Sequence, residues 1–271
     1  MHKCLAGPFI GEFGWELFCW QGFLRKRRPD YDAMTVICRR GHQILYQDFA
    51  DEIIEVDIPG DNVNMWKGSI NVEPIISYYK QLGNFTNFIS FDTYQTRWWI
   101  EPNHIALQKF ISYGHRSTVG FDILMHVRSA FHCRTAFRNW KQESAKAYVD
   151  WAIAQGMSVA CVGRSQTSLH IVGTTDMRDL PLDHLVDIMA SSRVIIGSQS
   201  GPHHLACLCR LPVIAWQTKS EHVERLSIYW NPFKIRTCTN SADISYWKER
   251  KHWQPSLEWM QEATVESLGY R

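Results

Sequence analysis

The segment Gly197-Ser198-Gln199-Ser200-Gly201-Pro202-His203 sets small polar residues and two glycines between apolar runs. Val194 to Ile196 reads as a buried strand. Pro202 suits the first turn of a helix over His203 to Cys209, and Val213 to Trp216 reads as the following strand. Such a strand–loop–helix turn aims backbone N–H groups and the positive end of a helix at the carboxyl edge of a parallel sheet, where an anionic group docks. Ser198, Ser200 and His203 add side-chain donors, and Gly201 lets a ligand approach the backbone. The competing reading is an ordinary α/β connection with no ligand. Other chemistries find no support. The Gly-x-Ser-x-Gly register places Gln199, not serine, at the centre, so no hydrolase elbow forms. No phosphate-cradling GxxxxGK[ST] loop is present, no His/Cys/Asp cluster offers a metal shell, and Asp30-Tyr31-Asp32 precedes a strand and reads as a turn.

These residues need a parallel sheet to position them, and the hydropathy pattern supplies one in each half. Lys3 to Ala6 is a short first strand. A glycine-containing loop follows, and then Trp15 to Arg27 places Leu17, Trp20, Phe23 and Leu24 at helical spacing, with cations at the helix end and Pro29 as the stop. Ala33 to Cys38 predicts a strand, His42 to Phe49 a helix, and Ile53 to Ile58 a third strand. A Gly/Asn/Asp loop runs from Pro59 to Gly68. Helices are expected at Glu73 to Gln81 and Trp98 to Tyr113, and a linker at Gly114 to Gly120. The second half restates the alternation: strands Ile123–Val127, Ser158–Val162, Val194–Ile196 and Val213–Trp216, with helices Gln142–Gln155, Leu182–Ala190, His203–Cys209 and a final Leu257–Leu268. The fold class is therefore α/β, with two Rossmann-like domains (1–117 and 118–271) facing a cleft.

Composition sets the outer bounds. The 271 residues suffice for two compact α/β domains, 45% hydrophobic content fits a globular protein, and the net charge of +2 implies no global polyanion field. No apolar run approaches the ~18–20 residues that cross a bilayer, and no signal peptide is legible. The eight cysteines match no zinc spacing and read as reduced, buried thiols of a cytoplasmic protein. Basic residues do cluster, at Arg25 to Arg28, Arg39-Arg40 and Lys248 to Lys251. Trp98-Trp99 and Trp247 to Trp259 lie among polar residues, where aromatic faces can stack on sugars or bases.

Taken in order, these blocks resemble the heptosyltransferase-like glycosyltransferases (the ADP-heptose:LPS heptosyltransferase group) of the GT-B fold. The segment Ser198 to Trp216 is similar to their "(D/G)(S/T)xSGPxHLAxAxGxPVIAx" block. Gly11-Glu-Phe-Gly-Trp-Glu16 and Arg27-Arg-Pro-Asp-Tyr-Asp32 stand where the family has "GxxGD" and "RRFPDA". His126-Val-Arg128 and Phe137-Arg-Asn-Trp140 echo "HPGxxxxxKRWP". Met157 to Gly163 and Asp179 to Leu185 occupy the places of two further blocks, and in GT-B proteins a final helix often crosses back over the first domain. One departure matters: the position of the family's catalytic aspartate is Trp15 here.

The resemblance implies a metal-independent, inverting transfer from a nucleotide-diphosphate sugar, with no other cofactor. A general base must take the acceptor proton, and cations or N–H groups must neutralise the departing diphosphate. Glu12, in the glycine loop, is the first choice of base; Glu16 is the second, or else a plain helix-dipole carboxylate. Gly11, Gly14 and Trp15 fall on the acceptor side. Arg128, Arg134 and Arg138 suit phosphate by their planar fork of donors, with Arg138 at the family's lysine position. Glu221 and Glu224 are candidates for ribose hydroxyls. Three readings follow: transfer to a saccharide hydroxyl, transfer to a hydroxymethylated pyrimidine base in DNA, and a non-catalytic nucleotide or carbohydrate binding module. Sequence leaves the oligomeric state open.

Overall fold

The computed structural model describes residues 2–58, 72–90, 106–129, 136–243 and 253–269. The chain divides into two compact units, Met1–Phe110 and Ile111–Arg271. The division falls earlier than residue 117 because the expected linker is tied to the second unit. Tyr113 N–H donates to the Leu208 carbonyl (2.9 Å), His115 N–H to Asp187 (2.7 Å) and Ser117 N–H to Ser191 Oγ (2.8 Å).

The first unit holds a four-stranded parallel sheet in the order β3-β2-β1-β4, formed by β1 (Lys3–Ala6), β2 (Ala33–Arg39), β3 (Glu52–Val56) and β4 (Asn87–Ile89). Cys4, Leu5 and Ala6 are fully buried between β2 and β4. After the β1 loop, α1 (Phe13–Trp15), a π turn (Glu16–Trp20) and α2 (Gln21–Arg27) run as one helical segment, burying Leu17, Phe18, Trp20, Phe23 and Leu24. The wide turn sends the Gln21 N–H to the Glu16 carbonyl, while the Gln21 side chain caps the Leu17 carbonyl at 2.7 Å. α3 (Glu73–Leu82) follows later in the chain.

One expected helix does not form, and a second is absent over the part that is described. Over His42 to Phe49 the chain makes only a 3₁₀ turn, Gln43–Leu45. The buried Arg25 guanidinium reaches the Leu45 carbonyl (3.0 Å) and the Asp48 carboxylate (2.6 Å), and the Phe49 N–H bonds the Tyr46 carbonyl instead. A tertiary hydrogen bond from Arg25 takes the Leu45 carbonyl that a helical Phe49 N–H would use. Of Trp98 to Tyr113, residues 106–113 carry only a short turn, and the earlier part lies outside the described residues.

The second unit is a six-stranded parallel sheet, β10-β9-β8-β5-β6-β7. Its strands are β5 (Ile123–His126), β6 (Val159–Gly163), β7 (Thr175–Arg178), β8 (Val194–Ser198), β9 (Val213–Gln217) and β10 (Thr237–Ser241). The helices are α4 (Gln142–Ala154), α5 (Leu182–Ser191), α6 (Gly201–Leu208), α7 (Ser220–Glu224), which continues through a π turn (Arg225–Tyr229), and α8 (Leu257–Leu268). The edge strands β7 and β10 escape the sequence pattern because they are mostly polar and owe their form to pairing with β6 and β9. Trp140, Tyr148, Ile196, Ile214, Trp216 and Met260 share one core. The buried face of α8 is spent within this unit, against α4, β8 and β9, with Thr264 hydrogen-bonded to Tyr148 at 2.6 Å.

Candidate functional site

In the second unit the chain proceeds β5–β6–β7 in one direction and β8–β9–β10 in the other. The reversal lies between β5 and β8, the place where open parallel sheets bind ligands beyond their carboxyl ends. β5 ends on His126, β8 ends on Ser198, and α6 begins at Gly201. Gly163, at the end of the neighbouring β6, has φ +116°, and a Cβ there would stand 2.6 Å from His126 Cδ2. Only glycine lets the imidazole occupy that place.

Ser200 Oγ lies 2.7 Å from His126 Nδ1 and 3.1 Å from His203 Nδ1. A hydroxyl owns one proton, so Ser200 donates to one ring and accepts from the other, and the two imidazoles hold opposite tautomers. Burial keeps both neutral. His203 is pushed down to about 3, and His126 lies well below the usual histidine value through burial and then the charges of His203 and Arg128. Ser198 Oγ and His203 Nε2 are buried with no hydrogen-bond partner, a state that a polar ligand would relieve.

Cations surround the same edge. Arg138 Nη1 stands 3.5 Å from the Gln199 carbonyl. The Arg225 guanidinium lies 4.6 Å over the Trp230 ring, and His204 meets the same ring edge-on at 4.6 Å. His204 is held well below its usual value by burial, then by Arg225, His203 and Arg138. His222 is pushed down to about 4 by burial and by Arg225, with Arg138 and Lys219 contributing and Glu221 opposing. Burial holds these histidines neutral, and the nearby Arg225 and Arg138 add to the effect.

The sequence-named residues therefore separate into groups. Ser198, Ser200, Gly201 and His203 come together at one strand edge, and Arg138 joins them through Gln199. Arg128, just past β5, bridges to Ser168 and bears electrostatically on His126. Glu224 is exposed on α7, next in sequence to the stacked Arg225. Arg134, Arg97-Trp98-Trp99 and the 247–252 segment lie outside the described residues. His126, Arg225 and His222 were not singled out. His126 had a signal, a histidine ending an apolar strand, whereas Arg225 had none.

In the first unit, Gly11 and Gly14 are buried, Trp15 is half-buried, and Glu12 is exposed at the start of α1. Glu16, named as the second candidate base or a helix-dipole carboxylate, stands in the first turn of the π segment but is buried. It is 2% exposed, accepts from the Tyr46 hydroxyl at Oε1 (2.7 Å) and meets His42 Nδ1 at Oε2 (2.8 Å). The basic clusters are partly structural as well. Arg25 pairs with Asp48, Arg28 with Asp51 and Arg40 with Asp57. Among the described residues, no group of three His/Cys/Asp/Glu can hold a metal ion, and no helix is long and apolar enough to cross a membrane.

No family model matches the chain, and no curated protein does. Solved structures do. A glycosyl transferase of family 9 from Veillonella parvula is 13% identical, with TM-score 0.70 over 100% of this chain and 98% of that one. The E. coli heptosyltransferase WaaC with ADP is 9% identical, with TM-score 0.60 over 98% and 100%. The E. coli ADP-heptose LPS heptosyltransferase II is 12% identical, with TM-score 0.58 over 98% and 99%. The chain has the GT-B fold of these glycosyltransferases.

Proposed function

We propose that this chain transfers a sugar from a nucleotide-diphosphate donor to a saccharide hydroxyl, with inversion at the anomeric carbon and without a metal ion. The observation that carries this reading is the α6 edge. There a helix N-terminus, the unpartnered Ser198 hydroxyl and His203 Nε2, and the arginines Arg138 and Arg225 converge where a leaving diphosphate would need charge neutralised. Arg128 is the further cation, and Glu224 the ribose candidate. One of the structures compared, heptosyltransferase WaaC, carries ADP, so ADP-sugars head the list of donors. Free cysteines throughout the described residues fit a reducing compartment, and we place the protein in the cytoplasm. On the first unit, two groups can take the acceptor proton: the exposed Glu12 carboxylate, which the sequence names, and the His42 imidazole.

The test is a panel of nucleotide sugars offered with glycan acceptors and with duplex DNA bearing hydroxymethylated pyrimidines. The expected result is acceptor-dependent release of nucleoside diphosphate, an inverted anomeric signal by NMR, and a rate unchanged by EDTA. Turnover only on modified DNA would move the acceptor to nucleic acid. Binding without turnover would leave a binding module, and strong EDTA inhibition would reject the metal-free mechanism.

A further inference from the structure

The position of the family's aspartate is Trp15, yet the same edge of the first unit contains a histidine held by a buried carboxylate. β2 ends at Arg39, and the chain turns through Arg40 and Gly41, with His42 N–H bonded to the Arg39 carbonyl at 3.0 Å. The strands are parallel, so this turn lies at the same sheet edge as the β1 loop carrying Glu12. His42 has φ −105° and ψ 6°, in the sparsely allowed bridge region where many active-site residues sit. Its ring packs edge-on against Phe13, centroids 5.4 Å apart, immediately after Glu12.

Glu16 accepts one hydrogen bond from Tyr46 and one from His42 Nδ1. A carboxylate that takes the Nδ1 proton in a hydrogen bond leaves the lone pair on Nε2, as the acid does in a Ser-His-Asp triad. Nε2 has no hydrogen-bond partner among the described residues, and the side chain keeps 10% exposure. Glu16 at 2% exposure is too deep to meet a substrate, but it can hold and charge-balance a ring that does. An open surface depression lined by Arg39, Arg40, Val56, Asp57 and Ile58 adjoins this turn.

We infer that His42 is the general base of the transfer and that Glu16, braced by Tyr46, is its positioning residue. This rests on the glycosyltransferase reading above. In the step, the acceptor O–H gives its proton to His42 Nε2 while the oxygen lone pair forms the new bond to the anomeric carbon. The bond from that carbon to the diphosphate oxygen breaks, and its electron pair leaves with the nucleoside diphosphate. The imidazolium is stabilised by Glu16 until it loses its proton to solvent. The titratable groups on the packed elements are Tyr46, Cys38 on β2 and Glu55 on β3. Burial, then Glu16 and Glu55, push the Cys38 thiol up to about 12, so it stays protonated throughout.

The experiment compares pH profiles of kcat/KM for the wild type, His42→Asn, Glu16→Gln and Glu12→Gln, with melting curves and nucleotide binding alongside. Asparagine keeps an N–H toward Glu16 and removes the base. His42→Asn should lower kcat about 10²–10⁴-fold, abolish the acid-side fall in activity and leave nucleotide affinity intact. Glu16→Gln should move that fall to lower pH, because the imidazolium loses its counter-charge, a change that a purely structural carboxylate would not produce. If His42→Asn fails to fold, the Glu16→Gln profile decides. A folded His42→Asn that keeps the acid limb, an unmoved limb in Glu16→Gln, or loss of rate and limb in Glu12→Gln alone would overturn the assignment. A wild type that transfers nothing from any donor would instead reject the enzymatic reading itself.

Discussion

Ser200 is the residue on which the donor side turns. Its hydroxyl ties the end of β5 to the first turn of α6 through His126 and His203, and so decides which imidazole nitrogen carries a proton. Arg138 acts at longer reach, as charge beside the Gln199 carbonyl. Removing a hydrogen bond to a charged phosphate oxygen costs roughly 1.5–3 kcal/mol. Ser198→Ala, which removes the buried hydroxyl that has no partner, and Arg138→Ala should therefore each weaken nucleoside diphosphate binding about ten- to a hundred-fold by calorimetry. Affinities within about two-fold of wild type for both would place the nucleotide elsewhere. Glu16 carries the opposite lesson. Its spacing alone left base and dipole charge open, and its burial against Tyr46 and His42 points instead to a positioning role.

Among the elements, the strand ends do the positioning, and β6 shows how little freedom they have. A Gly163→Ala substitution combines a backbone at φ +116° with a methyl group 2.6 Å from the buried His126 ring. Strain of that kind costs of order 1–3 kcal/mol, and the displaced imidazole should also loosen the Ser200 contact. Gly156→Ala is the comparison, since its φ is +76° but nothing lies within 4 Å of the added carbon. The expected outcome is a larger loss of melting temperature for Gly163→Ala, with weakened nucleotide binding in that variant alone. Equal losses and equal binding would mean that His126 plays no part in the donor site. Both π turns belong to this scale too: one begins at Glu16 and the other at Arg225, so each starts at a residue of its unit's proposed site.

Over the whole molecule, the buried histidines couple the site to stability. His126, His203 and His204 are fully buried and neutral, and His203 titrates near 3 when folded against 6.5 as the ordinary value. The unfolded chain binds these protons first. Stability is thus fully present above about pH 6.5 and falls as pH drops below it, for His203 by about 1.4 kcal/mol per pH unit through the window toward 3, with His126 and His204 acting in the same direction. Below about pH 4 the depressed carboxylates Asp122, held by Ser158 and Arg193 against its burial, and Asp176, held near 2 by Arg178, add to the loss. Melting curves between pH 7.5 and 5 should show a steady decline, shallower in His203→Asn. A flat profile would contradict the buried neutral state.

The sequence by itself determined the alternation of strands and helices in the second half, because fully buried parallel strands such as Ile123 to His126 and Val194 to Ser198 write themselves as apolar runs. It also placed Ser198, Ser200, Gly201 and His203 at one turn, since a glycine-serine loop followed by proline marks a helix start locally. It could not find β7 or β10, whose polar residues become strand only through their neighbours. Nor could it see that Arg25 would dissolve the expected helix after β2, with His42 left in a turn rather than a helix. The meeting of Glu16 with His42 and of His204 with Arg225 was likewise decided by tertiary structure alone. Residues 26 and 21 positions apart share no local pattern, and only the packing of separate elements brings each pair together.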